Sequence, residues 1–396
     1  MVPELTRRML AETAPRCLWK FCRNFLYKGW RRSRQFKRRG GKSKFPAFVV
    51  ISATNACNLS CQGCWVSPSS PPKELSLDAM DEIIRDSKKD GSFFFGILGG
   101  EPLLKTDVFD LIAKHPDAYF QIFTNGTLLT KEVAEKMRSL ANVTPLISVE
   151  GDESESDTRR GGENVFQRTF EGIENCRGQG LVTGIATSVC ASNIDTLATR
   201  KFVRKAIDNG VHYLWYYIYR PVGPAPHPEL ALDEEQILRL RKFIVETRTT
   251  EPIVIVDAYW DHEGRAICPG ALGISHHINP EGHVEFCPPL QFSKDNIADN
   301  ESLDSLFENS AFLADFRDFA SKTTPGCVIL EHPGELKRFL EKQKAIDTTG
   351  RNAGLKELDA MSPLPGHHLP NAEIPEKHWL YKWAKKNHFF GLGGYG

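Results

Sequence analysis

Three cysteines lie close together in the chain, at Cys57, Cys61 and Cys64. Thiolate sulfur is a soft ligand that selects zinc or iron–sulfur clusters. A disulfide would pair two of the three cysteines and leave one over. A zinc site would want a fourth Cys or His nearby, and residues 1–114 contain no His. The spacing therefore predicts a 4Fe–4S cluster with three of its irons held by thiolates and the fourth iron open to a substrate or cosubstrate.

The pattern C-x3-C-x2-C resembles the signature of the radical S-adenosylmethionine (SAM) superfamily. The loop follows an apolar run at 47–51, which is typical of a buried strand. A second apolar run at 93–98 ends in Gly-Gly-Glu-Pro. In the resembled family the open iron chelates SAM, and such a segment meets the SAM amino group. The resemblance implies that Gly99, Gly100 and Glu101 face SAM.

Apolar runs alternate with helical segments farther along the chain, at residues 119–123, 145–149, 181–189 and 213–219. This alternation predicts a parallel sheet in an α/β fold. The resemblance covers about residues 46–225 and implies a partial (βα)6 barrel, with the chemistry at the carboxyl ends of the strands. It makes Ser148, Glu150 and Ser188 further candidates to face SAM.

The resemblance also implies an activity. The protein would be an enzyme that cleaves SAM reductively to a 5′-deoxyadenosyl radical, supplied with electrons by a reductant such as ferredoxin or flavodoxin. One departure concerns the residue before the third cysteine, which is usually aromatic in the family and packs near the adenine. Here that residue is Gly63, so the contacts to the adenine are open.

A second group of cysteines is more widely spaced. Cys268 and Cys287 flank a segment that alternates and turns at Asn-Pro-Glu-Gly, which predicts a β-hairpin. The pattern resembles the opening of a SPASM or twitch domain, the auxiliary iron–sulfur extension of radical SAM maturases. With Cys327 as the one cysteine that follows, the resemblance implies a truncated domain holding a second cluster, with a site left for His332, Glu331 or substrate. The alternative is a hairpin whose cysteines bind nothing.

The substrate-facing candidates are Arg220, at the end of the sixth predicted strand, and Asp257 and Tyr259, which precede Cys268. A tyrosine near a substrate radical can relay a hydrogen atom, although an aromatic residue there is more often packing. The auxiliary domain suggests a peptide substrate, whereas Gly63 and the basic ends suggest a lipid. A different class of function, a non-catalytic iron–sulfur scaffold or electron carrier, would need neither the GGEP segment nor polar strand ends.

Charge is distributed unevenly. Residues 1–46 carry 14 Lys or Arg against two Glu, whereas the whole chain has a net charge of zero. Residues 18–34 have helical spacing, with apolar and aromatic residues on one broad side and basic residues on the other. A basic amphipathic helix with Trp and Phe is typical of an element that lies on an anionic membrane surface. Packing on the enzyme body is an equal alternative, and nucleic acid ranks last.

The cysteine content and the absence of targeting segments indicate where the protein is located, and the motifs divide the chain into domains. Ten cysteines in 396 residues do not form a disulfide scaffold, and no signal peptide or long apolar span is visible. These features predict a cytoplasmic protein, with peripheral contact at the inner membrane face. The expected domains are the leader at 1–45, the barrel at 46–240, the auxiliary domain at 250–335 and a tail at 336–396. Within the tail, residues 362–375 are expected to form a linker with a solvated His367.

Overall fold

The computed structural model describes residues 1–38 and 45–387. Residues 39–44 of the predicted leader and residues 388–396 of the predicted tail lie outside the described residues. The described part of the leader is helical, as the spacing predicts. It consists of α1 (Val2–Glu12), α2 (Pro15–Lys20), a π-helical segment (Phe21–Tyr27) and α3 (Lys28–Arg38).

Strands and helices then alternate, as the sequence predicts. The elements are β1 (Phe48–Ser52), α4 (Leu77–Lys89), β2 (Phe94–Leu98), α5 (Val108–Lys114), β3 (Tyr119–Thr124), α6 (Lys131–Leu140), β4 (Val143–Ser148), α7 (Glu153–Arg160), α8 (Val165–Gly178), β5 (Gly184–Val189), α9 (Ile194–Leu197), α10 (Arg200–Asp208), β6 (Tyr213–Ile218), α11 (Glu234–Thr250) and β7 (Val254–Val256). Each of these strands pairs in parallel with the next, from β1 to β7.

Later strands extend the same sheet past β1. The later elements are β8 (Ser275–Ile278), β9 (His283–Glu285), β10 (Phe292–Ser293), β11 (Asp295–Asn296), α12 (Leu303–Asn309), α13 (Ala311–Thr323), α14 (Val328–Glu331), α15 (Pro333–Gln343), β12 (Ile346–Asp347), α16 (Gly354–Ala360) and α17 (Trp379–Asn387). Strands β8, β9 and β11 extend the sheet past β1, and β10 pairs with β12 in a separate sheet of two strands. Strands β8 and β9 form the predicted hairpin, and β8 pairs in parallel with β1. The boundary expected between 240 and 250 therefore falls inside one ten-stranded sheet.

Alternation along the strands sends two sets of side chains to opposite faces. One set packs under the helices in the main core, as Ile51, Ile97 and Ile122 do. The other set points into the barrel, as Phe48 and Trp215 do. Both faces are buried, which explains why these strands are nearly continuous apolar runs in the sequence.

The leader covers the end of the barrel at which the strands begin. The Phe25 ring lies 4.7 Å from that of Phe94, and the Phe21 ring lies 5.6 Å from that of Tyr119. The buried guanidinium of Arg8 donates to backbone carbonyls of the barrel, including that of Val211 at 3.0 Å. The leader therefore packs on the enzyme body, in agreement with the second of the two alternatives that its sequence left open.

The segment expected to be a linker also packs on the enzyme body, against α14 and against α11 of the barrel. The backbone N–H of Leu364 donates to the carbonyl of Leu330 at 2.8 Å, and the guanidinium of Arg241 donates to the carbonyl of Ile374 at 2.7 Å. Helix α17, which follows, packs against α3 of the leader. No helix among the described residues is both long and apolar enough to cross a membrane.

Candidate active site

The carboxyl ends of the barrel strands open into a cavity of about 690 Å³. All six cysteines that the sequence analysis selected line this cavity. We call Cys57, Cys61 and Cys64 the first cysteine group, and Cys268, Cys287 and Cys327 the second cysteine group. The structure therefore brings together two groups that lie far apart in the chain.

The first cysteine group lies on the loop between β1 and α4. The loop is held by backbone bonds, since the N–H of Gln62 donates to the carbonyl of Arg159 at 2.8 Å. A side-chain bond between Asn58 and Asn125 at 2.8 Å ties the loop to the end of β3. The three thiols are half-buried and unpaired. Burial raises the pKa of the Cys64 thiol to about 11, so its thiolate needs a cationic partner such as iron.

The donor set fits a cluster better than a single ion. Within residues 1–38 and 45–387, no three Cys, His, Asp or Glu side chains converge closely enough to hold one metal ion. A 4Fe–4S cluster needs no such convergence, because each cysteine binds a different iron of the cube. Three free thiols on one loop, facing a cavity, match this requirement.

Gly63 is explained by a neighbouring aromatic residue. Its φ of +64° lies in the left-handed region that favours glycine. A Cβ on residue 63 would lie 2.2 Å from the hydroxyl oxygen and 2.6 Å from a ring carbon of Tyr219. Tyr219, just beyond β6, therefore fills the space beside the cysteine loop that a side chain at position 63 would occupy. The sequence analysis did not select Tyr219.

Gly99 and Gly100 line the cavity at the end of β2. A Cβ on Gly99 would lie 2.5 Å from the carbonyl oxygen of Thr54, and one on Gly100 would lie 2.2 Å from that of Ala56. The glycines are needed because this turn passes against the backbone that leads into the cysteine loop. The turn thus positions the loop as well as lining the cavity.

Glu101 does not lie where the sequence analysis expects it. Its carboxylate is fully buried and does not line the cavity. It accepts hydrogen bonds from the Thr124 hydroxyl at 2.8 Å and from the backbone N–H groups of Asn125 and Leu103 at 2.7 and 3.1 Å. Burial raises the pKa of Glu101 to about 7. The side chain joins the ends of β2 and β3, so the structure assigns it to support of the site.

Ser148 and Ser188 line the cavity, and Glu150 lies beside them. The Glu150 carboxylate pairs with Arg160 and accepts a bond from the backbone N–H of Ser188 at 3.1 Å. A second guanidinium nitrogen of Arg160 lies 3.8 Å from the Cys61 sulfur. Arg160 is therefore a cavity cation next to the first cysteine group. The sequence analysis assigned it no role, although it follows Arg159 at the end of α7, directly before Gly161 and Gly162.

The second cysteine group is assembled from three segments. Cys268 lies in the loop between β7 and β8, Cys287 follows β9, and Cys327 precedes the first residue of α14. Burial raises the pKa of the Cys268 and Cys287 thiols. These are three free thiols in a cavity wall with a cation beside them, and this donor set also fits an iron–sulfur cluster.

That cation is Arg220, one of the predicted substrate-facing residues. Its Nε donates to the Cys327 sulfur at 3.1 Å, and its guanidinium lies 5.4 Å from the centre of the Tyr259 ring. The Tyr259 hydroxyl accepts a bond from the backbone N–H of Ile218 at 3.0 Å. Both predicted residues therefore line the cavity, next to the second cysteine group.

Asp257 is not brought to the cavity. It is fully buried and pairs with Arg248 at 2.8 Å, Lys385 at 2.9 Å and Arg241 at 3.3 Å. Burial alone would raise its pKa, but the three cations together hold the pKa of Asp257 below its ordinary value. Glu376 completes this cluster, which we call the buried charge cluster. Asp257 therefore anchors the tail to the barrel.

A second polar network joins the hairpin to the barrel. The hydroxyl of Ser52 and the Nε2 of His277 lie 2.8 Å apart, and the Nδ1 of His277 lies 2.7 Å from the Glu285 carboxylate. Ser, His and Glu in this order suggest a nucleophilic triad, yet all three are buried and none lines the cavity. Trp65, next to the first cysteine group, packs edge-on to His277 at 5.6 Å. The network therefore connects the hairpin with the cysteine loop.

His367 is the residue that the sequence analysis misplaces most. It is 2% exposed and lines the cavity, whereas a solvated position was expected. Its ring lies 5.0 Å from that of Tyr259, and its carbonyl accepts a bond from the Trp260 indole at 3.0 Å. No periodic pattern in residues 362–375 indicates this position.

The first comparison with known proteins concerns the family. Residues 51–203 match the family model described as the Radical SAM superfamily. The radical SAM resemblance is thereby confirmed, and the parallel sheet confirms the α/β fold class. The resemblance of the second cysteine group to a truncated SPASM or twitch domain stays a prediction. Members of this superfamily are enzymes that use a 4Fe–4S cluster and SAM, so the predicted enzyme class, first cluster and SAM are confirmed at the level of the superfamily. The auxiliary cluster stays a prediction.

Individual relatives extend the match. The chain is 29% identical to the AdoMet-dependent heme synthase of Methanosarcina barkeri, over 49% of this chain and 57% of the relative. It is 27% identical to mycofactocin maturase MftC of Mycolicibacterium smegmatis, over 69% of this chain and 73% of the relative. The match thus spans little more than half of the heme synthase and nearly three quarters of the maturase.

A solved structure shares the fold. SuiB of Streptococcus suis bound to the precursor peptide SuiA is similar with a TM-score of 0.60 at 18% identity, covering 73% of this chain and 70% of that chain. SuiB has also been crystallised with S-adenosylmethionine.

Proposed function

Since the chain carries a radical SAM domain at residues 51–203, we propose that it is an enzyme that cleaves SAM reductively at a cluster held by Cys57, Cys61 and Cys64. The observation that carries the proposal is that these three free thiols face one cavity at the carboxyl ends of the parallel strands. When bound, the cluster supplies the electron that breaks a carbon–sulfur bond of SAM and yields a 5′-deoxyadenosyl radical.

The residues around the first cysteine group have distinct roles in this proposal. Gly99 and Gly100 present backbone to SAM at the end of β2, and Ser148 and Ser188 present hydroxyls from β4 and β5. Glu150 holds Arg160, whose second guanidinium nitrogen faces the Cys61 sulfur. This cation offsets part of the negative charge that three thiolates bring to the cavity.

We further propose an auxiliary iron–sulfur cluster at Cys268, Cys287 and Cys327. The hydrogen bond from Arg220 to the Cys327 sulfur supports this site, since a guanidinium beside the sulfur would offset part of the negative charge of a thiolate-ligated cluster. Tyr259 lies beside Arg220, between this group and the interior of the barrel. Arg220 and Tyr259 are the proposed contacts to the substrate, and Asp257 is excluded from that role by its burial in the charge cluster.

The proposed substrate is a peptide. Two comparisons support this class: the maturase match covers more of this chain than the heme synthase match does, and SuiB binds a precursor peptide. The structure adds an apolar groove of about 490 Å³. It shares the lining residues Val222, Pro289, Leu290 and Ile329 with the cavity. An extended chain lying in this groove would therefore lie next to the cavity.

Cleavage of SAM is tested directly. Protein reconstituted anaerobically with iron and sulfide should release 5′-deoxyadenosine from SAM when a strong reductant is added. Cys61→Ala should abolish the release, because the cube loses one of its three thiolates. The matched control is Cys22→Ala, which removes an exposed thiol outside the cavity and should leave the rate unchanged. Wild-type protein that holds its clusters but leaves SAM intact would instead be an iron–sulfur scaffold or electron carrier.

The substrate class needs a separate test. Peptide, lipid and metabolite extracts of a deletion strain should be compared with those of the parent. The proposal expects a peptide that loses its modification in the deletion strain. A lipid that changes while all peptides stay the same would overturn the peptide assignment and leave SAM cleavage untouched.

We also propose contact with an anionic membrane, alongside an electron-donor protein such as ferredoxin or flavodoxin. Packing uses only part of the leader, because Trp19, Leu26 and Tyr27 remain exposed. Arg23 and Arg31 lie against two of these rings. Helix α17 adds the exposed Trp379 and Trp383, and it packs against α3. Exposed aromatic residues among cations are typical of an interfacial surface.

Point substitutions test this surface better than deletion of the leader, which would also uncover the base of the barrel. Trp19→Ser with Leu26→Ser should weaken binding to vesicles rich in phosphatidylglycerol. Wild-type binding should decrease with salt, since exposed charges are screened over about 8 Å at physiological ionic strength. Ile346→Ser removes an exposed apolar side chain from β12 and serves as the control. Equal binding by all three proteins would contradict the membrane proposal.

A further inference from the structure

We propose that His367 is the fourth protein ligand of the auxiliary cluster, binding iron through its Nδ1 atom. The inference rests on the auxiliary cluster proposed above and names its missing ligand. It assigns a site role to a residue from the tail, about one hundred residues beyond Cys268 in the chain and outside the barrel strands.

The hydrogen bonds of His367 fix its tautomer. Its Nε2 lies 2.9 Å from the carbonyl oxygen of Ile267, the residue before Cys268. A carbonyl oxygen only accepts, so Nε2 carries the hydrogen and Nδ1 carries the lone pair. Within residues 1–38 and 45–387, Nδ1 has no hydrogen-bond partner. A neutral imidazole that donates one N–H to a backbone carbonyl and keeps the other nitrogen free is the usual arrangement of a metal-binding histidine.

The backbone of His367 is fixed as well. The Trp260 indole donates to its carbonyl at 3.0 Å, and its ring packs 5.0 Å from the Tyr259 ring. Tyr259 in turn lies under Arg220, whose Nε reaches the Cys327 sulfur. The imidazole and the second cysteine group therefore line the same part of the cavity, through a continuous set of contacts.

The environment of the ring favours a neutral ligand. The imidazole is buried, and its Nε2–H is held by the Ile267 carbonyl, so Nδ1 presents a lone pair that carries no proton. Binding of iron by Nδ1 then requires no proton to leave. The bond forms from a lone pair that is already free.

The two protein side chains among the alternatives that the sequence offered are occupied elsewhere. Glu331 accepts a bond from the Thr324 hydroxyl and one from the backbone N–H of Cys327 at 3.2 Å, so it shapes the turn that carries the cysteine. His332 is more than one third exposed and pairs with Glu335 at 3.6 Å. Neither residue lines the cavity, whereas His367 does.

The test isolates the auxiliary cluster. A variant with Ala at all three positions of the first cysteine group leaves one paramagnetic centre after reduction. With histidine labelled with ¹⁵N, pulsed electron paramagnetic resonance should show a directly bound nitrogen. His367→Cys should keep the iron, lose the nitrogen coupling and move the midpoint potential to a more negative value, because thiolate donates more charge than imidazole. His332→Ala is the control and should change neither quantity.

Each outcome decides the question. About four irons in the starting variant, with nitrogen coupling lost only in His367→Cys, supports the assignment. The same iron content with no histidine coupling, or with coupling that persists in His367→Cys, overturns the His367 assignment alone. A wild-type protein with about four irons, and none in the starting variant, overturns the auxiliary cluster and this inference together.

Discussion

The two cysteine groups face one cavity but are built in different ways. The first lies on a single loop, held by backbone bonds and by the ends of neighbouring strands. The second is assembled from a loop, the end of a hairpin and the start of a helix. The comparison teaches that spacing encodes the first site locally, whereas the second exists only when distant segments have folded together.

The residues that surround the two cysteine groups also come from different parts of the chain, near in sequence for the first group and distant for the second. Around the first group, Glu101 and Gly100 come from the neighbouring turn. Around the second group, Arg220 comes from the end of β6 and His367 from the tail. The tail is in turn anchored by the buried charge cluster. Changes far from the cavity should therefore affect the second group more than the first.

The largest expected effect is on SAM cleavage, which should depend on the first cysteine group and be independent of the second. Triple alanine substitution of the first group should reduce SAM cleavage to the level of the reagents alone, and the same change in the second group should leave cleavage intact. Each variant should hold about four irons where the wild type holds about eight, since each cube carries four. Iron analysis and chromatography of 5′-deoxyadenosine measure both quantities. Loss of all iron in either variant would show that the groups are not independent.

The next effect concerns the anchor of the tail. Asp257→Asn leaves three buried cations around Glu376, and breaking a buried ion pair on one side costs about 3 to 5 kcal/mol of the free energy of unfolding. Denaturant unfolding measures this change. Asp195→Asn breaks an exposed pair with Arg239 and should cost less than about 1 kcal/mol. Unchanged stability of Asp257→Asn together with loss of substrate turnover would instead make Asp257 a catalytic residue.

The third effect tests whether the packing of Tyr219 against the first cysteine group requires glycine at position 63. Gly63→Ala should cost about 2 to 3 kcal/mol in stability, of which about 1 kcal/mol is backbone strain at positive φ and the rest is overlap with Tyr219. In a Tyr219→Ala background the overlap disappears, so the same substitution should cost only about 1 kcal/mol. A double-mutant cycle of unfolding free energies measures the difference. Equal costs in both backgrounds would show that Tyr219 does not determine the glycine.

The smallest effect is a pH dependence at Glu101. Its pKa is raised to about 7 in the folded protein, so between its ordinary value and 7 the native state binds more protons than the unfolded state. Stability should therefore fall as pH rises through this window, by about 1 to 3 kcal/mol. Glu101→Gln should remove that part of the slope. Urea unfolding from pH 5 to 7.5 tests it, and an unchanged slope in Glu101→Gln would contradict the assignment.

The sequence predicts the barrel well because parallel strands are buried on both faces and read as apolar runs. The run at 47–51 becomes β1 at Phe48–Ser52, and the run at 181–189 contains β5 at Gly184–Val189. The pairing of β8 with β1 is not predictable in this way, since the residues of a strand do not specify which other strand it pairs with. Strand β7 is only three residues long and gives a weak pattern.

The candidate site is predicted where chemistry is tied to local spacing. The first cysteine group and the glycines after β2 are of this kind. Asp257 and His367 are not, because each depends on a contact with a residue at least one hundred positions away, Lys385 for Asp257 and Ile267 for His367. Glu101 shows a further limit, since a motif fixes the position of a side chain in the chain but not the direction in which it turns.

The tail has a consequence for the order of events during synthesis. Tyr381 and Arg248 supply the hydrogen bonds that cap the free edge of β7, through the N–H and carbonyl of Ile255. The ribosome makes the barrel strands and all six cavity cysteines before it makes Tyr381 and His367. A nascent chain thus passes through a stage in which the N–H of Ile255 at the edge of its sheet is unpaired and His367 is missing from the lining of its cavity. Iron bound by the second cysteine group at that stage would lack the ligand proposed at His367.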